Sequence, residues 1–325
     1  MKLFLSIAVV LLLLVVLAVG VGSYMLYKLA AKRSRPIDES VWERLPSTDD
    51  MPSLNRFEPD ITDGRKWLIS AAKDAERVSI TSFDGLRLNG RIIPCQGRIS
   101  PRGVILMMHG YRSNPVFDFG ASARDFAERG FVLCMPCQRA HGDSEGRHLT
   151  YGIKERYDAL EWCRFLEKRF SGLPILMCGI SMGSSTVLMA SSLDLPKAVV
   201  GIIADCGYTT PAEICRKVLT VDLHLPAFPL YYTSHLFTRL MAGFSFGDVS
   251  ALEEASKTEL PIMLIHGTDD AFVPYEMGER IRDAVKSPCF FVSAKGAGHG
   301  ESYLADREGY DKAFYLFLDA CGIGE

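Results

Sequence analysis

Six short apolar runs recur through the chain, each followed by a segment of a different period. They are "GVILMMHG" (103–110), "FVLCMP" (131–136), "ILMCG" (175–179), "AVVGIIAD" (198–205), "PIMLIHG" (261–267) and "CFFVSA" (289–294). None alternates with polar residues, so a strand made from any of them is covered on both faces. Between them lie stretches with apolar residues at helical spacing, such as "IKERYDALEWCRFLEKRF", "EMGERIRDAV" and "EGYDKAFYLFLDAC". "DFGASARDFAERG" reads as one short helix closed by Gly130. Strands that alternate with helices build a mostly parallel sheet with helices on both faces. "VSITSFDGLRLNGRIIP" precedes this series as two alternating runs around Phe83-Asp84-Gly85, a hairpin that adds an antiparallel edge.

The alternation stops once. Residues 207–260 hold "LHLPAFPLYYTSHLFTRLMAGFSFG", rich in proline and aromatics and without a strand signal. An insertion between two sheet strands sits over the C-terminal edge of the sheet, where open α/β sheets bind ligands. It is either a packed helical excursion or a cap lining a substrate pocket.

The first 35 residues read as a membrane anchor. Leu3 to Tyr27 carry no charge, and at ~1.5 Å per residue this stretch covers ~37 Å, more than the ~30 Å hydrocarbon core. A secretory signal has a shorter apolar region and a small-residue cleavage site, which does not appear here. Lys28, Lys32, Arg33 and Arg35 follow the span and Lys2 precedes it, which by the positive-inside rule puts the body in the cytoplasm. Residues 36–76 hold four prolines and one amphipathic helix near Gly64 to Lys73, a linker and packing segment. The globular domain then runs over 77–325.

"ILMCGISMGSSTVLMASS" places Ser181 between Gly179 and Gly183 where a buried strand becomes a helix. Such a turn strains its tip residue and lifts the side chain above the sheet, beside the free amides of the next helix. Serine is a poor nucleophile without a base, and the base needs an acid to hold it. Strand-based serine hydrolases order these as serine, acid, histidine. "IHGTDDAFVP" offers Asp269 and Asp270 after one strand, and "AKGAGHGES" offers His299 after the next. Asp205, at the end of "AVVGIIAD", is a third candidate acid.

Taken together, "GISMG", "MMHGYRSNP", "QRAHGDSEG", "IHGTDDAFVP" and "GAGHGES" resemble the α/β-hydrolase superfamily, and most of all its bacterial membrane-anchored members related to serine aminopeptidase-like hydrolases and esterases. The resemblance covers about Val78 to Cys321. It implies that Ser181, Asp270 and His299 form a catalytic triad. Asp270 is preferred over Asp269 because the acid of those relatives stands fourth after the histidine of the His-Gly pair. It also implies an oxyanion hole from the backbone amides of Met182 and Tyr111. One departure is Ala140, where relatives have the first glycine of Arg-Gly-His-Gly-x-Ser; in them that loop shapes the pocket.

The remaining signals are weaker. Cys134, Cys137 and His141 have a spacing seen in zinc and redox sites, but Cys134 falls inside a buried strand and no fourth ligand follows. Nine cysteines indicate no disulfide framework. His109 and His266 end strands and are expected to brace loops. With a net charge of -3 and no basic block in the body, nucleic acid is not expected as a partner. No metal or cofactor is implied. The expected activity is hydrolysis of an ester or thioester of an apolar acyl group. Two alternatives are an aminopeptidase-like enzyme, in which Glu213, Asp222, Asp248 or Glu253 holds the substrate ammonium, and a silent, membrane-tethered binding module.

Overall fold

A computed structural model describes residues 1–47, 51–97 and 100–324. Eight strands form one sheet: β1 (Glu76–Thr81), β2 (Arg87–Ile93), β3 (Gly103–Met108), β4 (Phe131–Pro136), β5 (Ile175–Ile180), β6 (Val199–Asp205), β7 (Ile262–Gly267) and β8 (Cys289–Ala294). Their spatial order is β1-β2-β4-β3-β5-β6-β7-β8. The β1–β2 and β2–β4 pairs are antiparallel and every later pair is parallel. This is the α/β-hydrolase fold, with the hairpin at the edge as expected.

The apolar runs of β3 to β7 become buried strands because both faces are covered, whereas β8, at the edge, is largely half-buried with Ser293 exposed. Val104, Leu106 and Met108 of β3 enter one core and Ile105 and Met107 the other, as the two-residue period of a strand demands. Helices α1 (Lys2–Ala31) and α2 (Asp60–Asp74) precede the sheet. Helices α3 (Pro115–Phe119) and α4 (Ala123–Glu128) lie between β3 and β4, α5 (Glu155–Arg169) before β5, and α6 (Met182–Ala190) after it. Helices α7 (Pro211–Lys217), α8 (Leu230–Ala242) and α9 (Ala251–Ala255) fill the β6–β7 insertion. Helix α10 (Tyr275–Ala284) links β7 to β8, and α11 (Ser302–Ala305) and α12 (Arg307–Ala320) follow.

Two local expectations need correcting. The single helix expected over 118–130 is two short ones, interrupted at Gly120–Ser122. A Cβ on Gly120 would lie 2.4 Å from Arg65 Cγ, and one on Gly64 2.2 Å from the Gly120 carbonyl oxygen, so α2 packs directly on the chain at the break. Ala140, expected to shape the pocket, does not line it. It is buried with φ +61°, left-handed backbone that favours glycine, so its methyl strains the loop rather than narrowing a site.

The Asp84 of the hairpin turn does more than turn the chain. Arg139 donates to Asp158 twice, at 2.6 Å each, and to Asp84 at 2.9 and 3.2 Å. Arg139 and Asp158 are both buried, so the ion pair joins the loop after β4 to α5 and the hairpin. Arg139→Met leaves Asp158 buried without its partner and is expected to cost about 3–5 kcal/mol. Urea unfolding with an unchanged midpoint would contradict this.

Candidate active site

Gly179 and Gly183 let the chain turn where β5 meets α6. A Cβ on Gly183 would stand 1.8 Å from the Met108 carbonyl oxygen, and one on Gly179 2.2 Å from the Gly183 backbone. No other residue fits either position without moving β3 or α6. Between them Ser181 has φ +55° and ψ -116°, a strained conformation. Its amide donates to the Asp205 carbonyl at 2.9 Å, which ties the strained tip to β6.

The loops after β7 and β8 converge on this serine. His299 Nε2 lies 2.9 Å from Ser181 Oγ, and His299 Nδ1 lies 2.7 Å from Asp270 Oδ2. The second carboxylate oxygen, Asp270 Oδ1, accepts the amides of Phe272 and Val273 at 2.9 and 2.8 Å. Burial alone would raise the Asp270 carboxyl. The His266 ring, 3.5 Å away, and hydrogen bonds from His299 and the Val273 amide outweigh it and hold the group well below the usual carboxylate range. Asp269 is exposed and accepts from Thr268 Oγ1. Asp205 is buried, with its carboxyl pushed up to about 7 by burial and only partly offset by His266 and His299, and it makes no hydrogen bond to His299. Of the three candidate acids, Asp270 is the one bonded to the imidazole.

Met182 and Tyr111, the other two expected residues, flank the serine. Among the described residues neither amide has a hydrogen-bond acceptor, so both remain free to donate. The Tyr111 loop is fixed from below. The Gly110 amide donates to Asp118 Oδ2 at 2.5 Å, and Ser113 Oγ to Asp118 Oδ1 at 2.6 Å. The Arg112 amide donates to His141 Nε2 at 3.0 Å, and the Gln138 amide to His109 Nε2 at 3.0 Å. Each imidazole therefore accepts through Nε2 and donates through Nδ1, to the Arg139 and Gly110 carbonyls respectively. Burial lowers both from the ordinary histidine range, His109 to about 4. These two neutral rings brace loops, and neither nitrogen of His141 is left over for a metal. Among the described residues Cys206, Asp270 and His299 also come within metal-ligand distance of one another, but the Asp270–His299 hydrogen bond already occupies that space.

Comparison with known proteins agrees with this fold. Residues 99–221 match the family model for serine aminopeptidase, S33, and residues 237–322 the model for TAP-like protein. The fold matches the esterase Pf2001 of Pyrococcus furiosus with a TM-score of 0.60 and 21% identity, over 76% of this chain and 91% of that one. Two α/β-hydrolase family models thus match successive parts of the chain, and its fold is that of the α/β hydrolases. Among curated relatives, the uncharacterized protein YqkD of Bacillus subtilis is 28% identical over 66% of this chain and 70% of its own. The lysophosphatidylserine lipase ABHD12 of Danio rerio is 23% identical over 57% of this chain and 47% of its own.

In this α/β hydrolase Ser181 opens into a cavity of about 250 Å³. Its walls come from α7, α8, the turn after α7 and, unexpectedly, the last two turns of α1. Tyr151, Tyr208, Tyr231 and Phe246 give aromatic surface, and among the described residues Arg112 is the one charged residue on the lining. The four acids considered for an ammonium site lie elsewhere. Glu213 is paired with Arg280 through two 3.0 Å bonds, and Asp222 with Lys217 at 2.8 Å. Asp248 accepts the Ser245 amide at 2.7 Å, and Glu253 is exposed.

The α1 wall was not visible in the sequence. The last carbonyls of a helix lack partners within it, and here the pocket supplies them. Tyr111 Oη donates to the Leu29 and Ala30 carbonyls at 3.0 and 2.9 Å, Tyr151 Oη to Ala30 at 3.0 Å, and Arg112 Nη2 to Lys32 at 2.9 Å. A cation at a helix C-terminus also complements the helix dipole. The only advance signal is Ser23, Tyr27 and Ala31, spaced by four and all buried in an otherwise lipid-like helix.

Proposed function

We propose that the protein is a membrane-anchored serine hydrolase that cleaves carboxylic esters through an acyl-enzyme. Ser181 Oγ attacks the ester carbonyl as its proton passes to His299 Nε2. Asp270 orients His299 through Nδ1 and stabilises the imidazolium. The amides of Met182 and Tyr111 receive the developing oxyanion, each such donor being worth about 3–4 kcal/mol. Collapse breaks the ester C–O bond, and the leaving alkoxide takes the proton from His299. Water, deprotonated by His299, then releases the carboxylic acid and restores Ser181. The helices of the β6–β7 insertion serve as the cap over this chemistry, and residues 77–325 as the catalytic domain.

The observation that carries the ester over the peptide is the lining. An aminopeptidase needs a carboxylate for the substrate ammonium, and burying that cation unpaired is costly; among the described residues no carboxylate faces the cavity. Ester hydrolysis at this type of site also fits the esterase and lipase named among its relatives. For the body we propose the cytoplasmic side, on the four basic residues that follow the apolar span. The test of substrate class is a panel of p-nitrophenyl esters beside aminoacyl p-nitroanilides. Esters should lead in kcat/KM by on the order of 100-fold, whereas a lead for the aminoacyl amides would return the peptidase.

A further inference from the structure

The anchor helix and the insertion are packed as one unit. Ser23 Oγ lies 2.5 Å from Thr233 Oγ1, and the Tyr24 and Phe237 rings meet edge-on at 5.8 Å. Leu230 stands over Gly22, 3.7 Å from where its Cβ would be. Residues 1–18 are exposed, and partial burial begins at Val19. Leu3 to Ala18 therefore cover only ~24 Å of a hydrocarbon core of ~30 Å. The remaining ~6 Å has to come from the stretch onto which the start of α8 is packed.

Helix α8 is built for that position. Phe228, just before it, and Tyr232, Leu236 and Leu240 recur every four residues and form one outward stripe, exposed by 78%, 55%, 54% and 71%. Met241 extends the stripe, and Arg239 is the one charge on the helix. An apolar stripe of this size is out of place in water. Beside a membrane-spanning helix, at the depth where aromatic side chains collect, it has a solvent. The catalytic cavity lies on the other side of the same pair of helices. Leu26 and Leu29 of α1 line it, and Leu29, Leu223 and Phe272 stand exposed at its rim.

We propose that α8 is a second membrane contact, seated in the leaflet beside α1, and that Ser181 acts on esters with a single long acyl chain drawn from that leaflet. This rests on the serine-hydrolase reading above and adds the source and class of its substrate. The apolar wall formed by the anchor continues from the bilayer interior to the nucleophile, so a chain leaving the leaflet stays on apolar surface throughout. At about 250 Å³, against ~150 Å³ for a cavity that takes one benzene, the space takes the reactive end of one chain and leaves no room for a second.

Two measurements on the full-length protein in phosphatidylcholine vesicles test this. In the first, Phe228→Trp is placed opposite brominated phosphatidylcholine. Quenching of the added tryptophan beyond the wild-type background supports immersion, and its absence overturns the proposal whatever the enzyme does. In the second, Leu236→Glu combined with Leu240→Glu is assayed on soluble p-nitrophenyl butyrate and on monooleoylglycerol carried in the vesicles. The outer face is outside the cavity, so the soluble ester should turn over within about twofold of wild type while the vesicle substrate slows by about tenfold or more. Equal rates on the vesicle substrate, or a proportional loss on both, would overturn the loading route. Fluorophosphonate labelling of the same samples reports Ser181 independently, so a failed route with a labelled serine leaves the hydrolase reading standing.

Discussion

Ser181→Ala should lower kcat/KM on a short ester by about 10⁵–10⁶ with the unfolding midpoint unchanged. The reason for expecting so clean a separation is local. Alanine keeps the Cβ, so the strain at φ +55° and the hydrogen bond from the residue 181 amide to Asp205 both stay. Only the hydroxyl bonded to His299 Nε2 is lost. Binding depends on the apolar cavity and should persist, so the loss falls on kcat with little change in KM. What turnover remains comes from the two amides and from positioning. Turnover near the wild-type rate would mean that another group does the chemistry.

Asp270→Asn should cost about 10⁴ in kcat, because an amide no longer fixes the tautomer that leaves His299 Nε2 as the base. Asp269→Asn serves as the internal control. Its carboxylate faces solvent and bonds Thr268, so its loss should stay within about twofold, as for an ordinary surface substitution. The pH profile adds a second reading. Asp270 is held well below the usual carboxylate range and stays ionised through mild acid, so its own protonation does not shape the acid limb of wild-type activity. The reverse order of the two variants would move the acid role one residue back, and a large effect of Asp205→Asn alone would move it to β6.

The sheet was legible because a strand covered on both faces needs an almost unbroken apolar run, and β3 to β7 have one up to their C-terminal ends. Ser181 was legible because strand, two glycines and helix together leave little else for a serine to do. The choice between Asp269 and Asp270 was not readable from local pattern. They are neighbours on one turn, and only the direction each side chain takes separates the buried one from the exposed one. Gly64 and Gly120 gave no sign of each other, since their close approach joins segments far apart in sequence. The docking of α1 was the hardest to see. Leucine and valine suit lipid and protein equally, so the apolar span said nothing about where the exposed helix ends and the pocket wall begins. The docked part is marked by Ser23, Tyr27 and the capped carbonyls of Leu29 and Ala30.

The most direct test of the central claim is intact-mass labelling of the full-length protein with a fluorophosphonate, wild type beside Ser181→Ala. An activated serine with His299 at 2.9 Å should take up one adduct in the wild type, and the variant should take up none. A folded wild-type protein that stays unlabelled, or a variant that labels as readily, would contradict the account.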